Sequence, residues 1–284
     1  PRLCRDWSSD VCSSDLDKDK NLIYLYTNHP EEQFTFVDAA RAKGYDVLVM
    51  NDILTTPLIN KLEQKFEAKR FVRVDSDVVE HLIRKEDKSS AELSWEEKQE
   101  ISPLFQALTP ENGGVTYIVD FKNLGENSSP MVITRGEWMR RMKEMSQLQG
   151  GMSFYGDLPE SLNLVVNTDH PLVKKVLKQK DKELGEALKS LTGELVTKKA
   201  EVKNLEEAKK DKKDEEIPQA DKEKLDELNK VVAEIEDQKR NQLKEFGRNN
   251  KLAKQMVDLA LLANGLLKGA DLDRFVKRSV ELIK

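Results

Sequence analysis

Met256-Val257-Asp258-Leu259-Ala260-Leu261-Leu262-Ala263-Asn264-Gly265-Leu266-Leu267 decides how this chain must fold at its C-terminal end. Only Asp258, Asn264 and Gly265 interrupt the apolar residues. As a helix, the segment is apolar nearly all the way round and must be covered on every side. It is too short to span a bilayer, which takes about 20 apolar residues. Asp271 then caps a second helix, with Leu272, Phe275, Val276, Val280 and Ile283 on one stripe. Two readings stay open on pattern alone: an ordinary core hairpin, or a hairpin that buries its surplus against a second copy of itself.

Working outward, the 284 residues leave room for two domains, or for one domain with a large insertion. The net charge of −5 gives the chain no general pull towards nucleic acid. Charged residues make up 35 % and aromatics 6 %, a balance that favours long solvated helices over one large core. No segment reads as a secretory signal or a membrane span, so a cytoplasmic location is expected. Cys4 and Cys12 both fall in residues 1–16, where Asp6-Trp7-Ser8-Ser9-Asp10-Val11-Cys12-Ser13-Ser14-Asp15-Leu16 resembles a translated sequencing adapter. That stretch is expected to be disordered and foreign to the fold. Without it the chain has no cysteine, hence no disulfide, thiolate metal site or thiol nucleophile, and it reads as a C-terminal fragment.

Leu22–Tyr26, Tyr45–Met50 and Phe71–Val74 read as strands, with helices over Glu31–Lys43 and from Thr56-Pro57 onward. This alternation predicts a small parallel α/β unit. The run Tyr45–Met50 suggests a strand buried on both faces. Thr27-Asn28-His29-Pro30 carries no glycine-rich phosphate loop. A boundary is expected near Asp75–Ser90, with Lys85–Ser90 as linker. Ser94-Trp95-Glu96-Glu97 is a capping box for a helix to about Ala107. Val115–Phe121, Pro130–Ile133 and Leu162–Val166 read as strands. Thr134-Arg135-Gly136-Glu137 reads as a second capping box, and Asp169-His170-Pro171 starts a helix through Leu177.

From Lys178 to Lys254 charged residues of both signs dominate. Leu184, Leu188, Leu191, Leu195, Val202 and Leu205 keep a heptad-like seam, which Leu225, Leu228, Val232 and Ile235 resume after Pro218. This predicts an antiparallel coiled-coil hairpin, with arms of about 30 residues reaching roughly 45 Å; a partly disordered charged helix is the rival. The cluster Lys209, Lys210, Lys212, Lys213 is offset by Asp211, Asp214, Glu215 and Glu216, which argues against nucleic-acid binding.

Catalysis finds little footing. His29, His81 and His170 lie in separate elements without metal-ligand spacing. Helix capping is the better account of His170, and loop solvation or capping that of Asp52, Asp75 and Asp77. The methionines are more informative. Met131, Met139, Met142, Met145 and Met152 lie within 130–156 around Trp138, flanked by Arg135, Arg140, Arg141 and Lys143. Methionine adapts to many apolar partners. A Met-rich core helix is the alternative, but Gln149-Gly150-Gly151-Met152 closes the helix in a glycine-bearing stretch that favours an exposed element.

Three stretches taken in order resemble bacterial chaperones of the heat shock protein 90 family. They are Asn21–Tyr26 followed by Gly44–Asp52, Leu162–Asn167 with His170–Val173, and Val257–Ala263 with Leu272–Phe275. The resemblance covers about 21–177 and 255–284. It implies a helix-rich α+β fold: residues 17–77 as the last α/β subdomain of a middle domain, and 78–284 as a C-terminal dimerisation domain carrying the 178–254 insertion and ending in a helical hairpin. It implies a homodimer through a four-helix bundle, with Leu259, Leu262, Leu266, Phe275, Val276, Val280 and Ile283 at the interface. It implies client proteins as partners, contacted through Trp138, Met139, Met142, Met145 and Leu148. No nucleic acid or membrane is implied. The family's ATP site and catalytic arginine would lie upstream of Asn21, so no cofactor is expected here, whereas the full-length protein would bind ATP and Mg and be an ATPase. The insertion has no counterpart in the family pattern. The runner-up function is a scaffold working through its coiled-coil hairpin.

Overall fold

The computed structural model describes residues 16–17, 19–83, 93–110, 114–148, 160–209 and 219–283. The adapter-like stretch up to Asp15, the Lys85–Ser90 linker, Met152 and the lysine cluster from Lys210 lie outside them. The chain forms two compact units, one of 1–93, 110–170 and 255–284, the other of 94–109 and 171–254.

The first unit opens with β1 (Leu22–Thr27), α1 (Phe34–Ala42), β2 (Val47–Val49), α2 (Thr55–Lys65), β3 (Lys69–Arg73) and the short α3 (Val79–Leu82). The three strands form a parallel sheet in the order β2-β1-β3. Ile23, Leu25, Val37, Ala40, Val74 and Leu82 make its core. The parallel α/β expectation holds. The reading of Tyr45–Met50 as a strand buried on both faces does not. β2 is a three-residue edge strand with Leu48 and Val49 exposed, because β1 takes the centre by pairing on both sides.

Helix ends follow local chemistry. Gly44 (φ 79°) and Gly265 (φ 66°) take the left-handed conformation that lets a chain leave a helix. Around each, paired bonds return to the last turn: Tyr45 N–H to Ala40 O (3.1 Å) with Gly44 N–H to Arg41 O (2.8 Å), and Leu266 N–H to Leu261 O (2.9 Å) with Gly265 N–H to Leu262 O (3.0 Å).

The same unit holds β4 (Val115–Lys122), β5 (Met131–Thr134), α5 (Glu137–Leu148) and β6 (Glu160–Asn167). β6 is the centre of a mixed sheet, parallel to β4 and antiparallel to β5. Thr134 does not cap α5. It pairs with Asn163 in β5 and is buried, and the Arg140 N–H bonds to the Gly136 carbonyl (3.1 Å), which puts the helix start at Gly136. The unit closes with α8 (Lys251–Ala263), whose first four residues belong to the second unit, and α9 (Gly269–Ile283). Asp271 lies inside the first turn of α9, bonded to Arg274, rather than at its cap.

The second unit comprises α4 (Trp95–Gln106), α6 (Pro171–Lys209) and α7 (Gln219–Asn249). The Ser94–Glu97 capping box is present, with both reciprocal bonds made. α6 runs without a break from Pro171 through the composition shift at Lys178. It packs antiparallel against α7: Gln179 accepts from Asn250 (3.0 Å), Thr192 from Lys239 (2.8 Å), and Lys199 pairs with Glu236 (2.7 Å). Leu188, Ile235, Leu243 and Phe246 are buried along the seam.

α4 packs against α7. A Cβ on Gly247 would overlap the backbone carbonyl of Leu104. Gly247→Ala gains about 1 kcal/mol in helix propensity. It loses more by pushing backbone from backbone, since overpacking costs about 1–3 kcal/mol. The expected result is a lower melting temperature by circular dichroism; an unchanged or raised one refutes the close approach.

Candidate functional site

The site builds from α5. At roughly 100° per residue, Glu137, Arg141, Glu144 and Leu148 gather on one side, with Arg140 beside them. Trp138, Met142 and Met145 centre about a third of a turn away. An amphipathic helix ordinarily turns its apolar face inward. Here the polar face is the one held against the protein. Arg140 donates to the Tyr26 hydroxyl (2.7 Å), to Glu137 (2.6 Å) and to both oxygens of Glu144 (2.6 Å each). Arg141 donates to Glu137 (2.6 Å), Glu63 (2.7 and 3.2 Å), Asn60 (3.2 Å) and the Phe71 carbonyl (2.5 Å). Glu144 also accepts from Thr56 and from Arg73 (3.4 Å), and Arg73 grips Asp75 through two bonds (2.5 and 2.9 Å).

The electrostatics follow this geometry. Burial works against the Arg140 charge, but Glu137, the Tyr26 oxygen and Glu144 outweigh it and hold its pKa above the ordinary guanidinium value. Arg141 is raised in the same sense: burial opposes its charge, and the Glu63 hydrogen bond and Glu137 more than offset it. Burial, with Glu137 next, pushes the Tyr26 hydroxyl up to about 12, so it stays protonated and accepts from Arg140 across the physiological range.

Of the residues expected to touch clients, Trp138 is 65 % exposed, Leu148 is exposed, and Met139, Met142 and Met145 are half-buried. A cleft of about 430 Å³ at the carboxyl ends of β1 and β2 takes Leu148 into its wall, but not Trp138 or the three methionines. Its walls include Asn28, Asp52, Thr56 and Arg140, and Ile53 and Leu148 supply apolar surface. Inside the clamp, Arg140 Nε and Glu137 Oε2 are buried without a partner, as is Asn28 Oδ1 at the cleft. From the sequence Arg140 and Arg141 are expected only as cations flanking the methionines, and Glu63 and Glu144 carry no expectation. The signal was there: Glu137/Arg141 and Arg140/Glu144 are opposite charges four residues apart.

The acidic residues at the strand ends do structural work. Asp52 accepts from the Leu54 N–H (2.8 Å), Asp75 pairs with Arg73, and Asp77 accepts from the Val78 N–H (2.7 Å) and Lys122 (2.6 Å). His170 immediately precedes the first residue of α6. Among the described residues, no histidine, cysteine, aspartate and glutamate cluster could hold a metal ion. No described helix is long and apolar enough to cross a membrane.

α8 and α9 carry the second candidate surface. Met256, Val257, Ala260 and Leu261 are buried, whereas Leu259, Leu262, Val276 and Val280 are exposed and Leu266 is half-buried. Phe275 is buried, at 8 % exposure, and the Ile283 side chain is outside the described residues. A polar lock joins the two helices. Arg278 donates to the buried Asp258 and to Gln255 (2.8 Å), and Gln255 donates to Ser279 (2.9 Å).

Comparison with known proteins places this geometry. The family model described as Hsp90 protein matches residues 14–200. The chain is 47 % identical over 275 residues to the chaperone protein HtpG of Bacteroides fragilis (strain 638R), covering 96 % of this chain and 40 % of that protein. It is 44 % identical over 273 residues to HtpG of Bacteroides thetaiotaomicron, with 96 % and 40 % covered, and 41 % identical over 267 residues to HtpG of Porphyromonas gingivalis (strain W83), with 94 % and 39 % covered. The chain thus spans about 40 % of the length of these relatives. The match over 275 of 284 residues runs through the charged hairpin, whereas the family model stops at residue 200, so the hairpin is shared with these relatives while most of it lies outside the family pattern. The chain belongs to the Hsp90 protein family.

Proposed function

We propose that this chain is the self-associating, client-contacting part of an Hsp90-family molecular chaperone. The observation that carries the reading is the placement of α5: Arg140 and Arg141 are bonded into the protein while Trp138 stands 65 % exposed beside part-buried methionines. Flexible, polarizable methionines beside an exposed indole suit apolar segments of varied sequence. The exposed Leu259, Leu262, Val276 and Val280 support pairing with a second copy. ATP and Mg²⁺ binding, and the turnover that would drive the arms, belong on this reading to parts of the whole protein other than these residues. The working compartment is the cytoplasm.

The test uses the full chain and the light scattering of thermally unfolding citrate synthase. Trp138→Ser with Met142→Ser and Met145→Ser is expected to raise the chaperone concentration needed for half-suppression about tenfold, a loss of about 1.4 kcal/mol. Met142 and Met145 are part-buried, so a modest drop in melting temperature is expected, and circular dichroism must show the triple variant folded before suppression is compared. Undiminished suppression by the triple variant overturns the client-contact reading.

A further inference from the structure

Nothing in the amphipathic pattern of α5 explains why Trp138 should stand exposed and the methionines only part-buried while Arg140 and Arg141 are held against the protein. Packing alone would roll the helix by about a third of a turn and cover Trp138, Met142 and Met145. What opposes the roll is a set of charged bonds. The Arg140 side chain is 9 % exposed and Arg141 16 %, and their carboxylate partners come from both α5 and α2. A roll would strip Arg141 from Glu63 and from the Phe71 carbonyl, and Arg140 from Tyr26. It would leave Glu63 beside an apolar face with its charge uncompensated, which is strongly unfavourable.

We infer that Arg140 and Arg141 are the positioning residues of the client-contact helix: tied to Tyr26, Glu63 and the Phe71 carbonyl, they hold α5 by its polar face and keep its methionine face available. This rests on the reading of α5 as the client-contact element. The contact surface is then set by a charge clamp rather than by apolar packing. The two arginines divide the work. Arg140 joins successive turns of α5, through Glu137 and Glu144, to the Tyr26 hydroxyl at the end of β1. Arg141 crosses from α5 to α2 and β3. The planar fork of arginine matters because Arg141 serves Glu63 and a carbonyl at once, which an ammonium does not reproduce.

The experiment compares Arg141→Gln and Arg141→Lys, both in the full chain carrying Trp7→Phe and Trp95→Phe so that Trp138 is the sole reporter. Acrylamide quenching of Trp138 reads the orientation of α5. Citrate synthase scattering reads function, and circular dichroism reads folding. Both Arg141→Gln and Arg141→Lys should lower the quenching constant of Trp138 and raise the half-suppressing concentration severalfold while the helical signal is retained. Should Arg141→Gln fail to fold, Arg141→Lys carries the test, since it keeps the charge. Unchanged quenching and suppression in a folded Arg141 variant overturn the inference. If the Trp138/Met142/Met145 serine variant loses suppression while the Arg141 variants keep it, only the clamp falls; if that serine variant keeps it, the client-contact reading falls.

Discussion

Asn167→Leu is expected to cost the chain about 4 kcal/mol or more, the largest stability loss of any single polar substitution considered. Asn167 ends β6 with no solvent exposure, and all four of its side-chain bonds go to backbone. Oδ1 accepts from the N–H groups of Leu124 (3.1 Å) and Asp169 (3.1 Å), and Nδ2 donates to the carbonyls of Gly125 (2.8 Å) and Ser129 (3.2 Å). One amide thus joins the β4–β5 connection to the turn that leaves β6. Leucine fits the volume and satisfies none of these groups, and each buried orphan costs about 1–3 kcal/mol. Against a total stability of about 5–15 kcal/mol, that is a severe loss. Asn167→Asp separates the halves of the amide. It still accepts from both N–H groups but turns a carboxylate towards two carbonyls. That raises the introduced carboxyl's folded pKa above its unfolded value, so the variant is least impaired at low pH and worsens as pH rises through the folded pKa. Urea unfolding at two pH values decides the matter: a loss under 1 kcal/mol for Asn167→Leu, or an Asn167→Asp defect that eases with rising pH, contradicts the assignment.

What could be read from the sequence was what neighbouring residues decide. The Ser94–Glu97 box and the helix end at Gly44 need only bonds a few residues long, and both are where the residues put them; the stop at Gly265 is of the same local kind, although Met256–Leu267 reads as one unbroken helix. What could not be read was decided across distance. The apolar run at Tyr45 looked doubly buried because nothing within it states that β1, not β2, holds the centre of the sheet. Thr134 has the residue type of a helix cap, but pairing with Asn163 claims it for β5. The composition shift at Lys178 looked like a structural joint, yet a helix is indifferent to it because lysine, glutamate and leucine all favour the same backbone. The α5 stripe was visible as a period, while its direction depends on Glu63, which lies in α2 on the other side of Arg141. At the C-terminal end the surplus of apolar residues was plain. Its division between Met256 and Leu261 inside and Leu262 outside is set by packing that the run itself does not state.

That division shapes the test of self-association. The full chain is expected to sediment as a dimer at ten micromolar, and Leu262→Asp with Val280→Asp is expected to return it to a monomer. Leu262 is 40 % exposed and Val280 49 %, so carboxylates there meet water in the single protomer and should leave the helical signal and melting temperature of isolated protomers nearly intact. Phe275→Asp would not separate the two questions, because Phe275 is buried inside the hairpin and its loss unfolds what it should probe. A two-fold interface uses the same patch on both copies, so two substitutions put four carboxylates into one bundle. A charge buried without a partner costs several kcal/mol, which moves the dissociation constant by a thousandfold or more. The Arg278–Asp258 lock stays untouched, so α8 and α9 keep their packing in the variant. A wild-type monomer at tens of micromolar would refute pairing through this face, and a double variant that still sediments as a dimer would move the interface elsewhere on the chain.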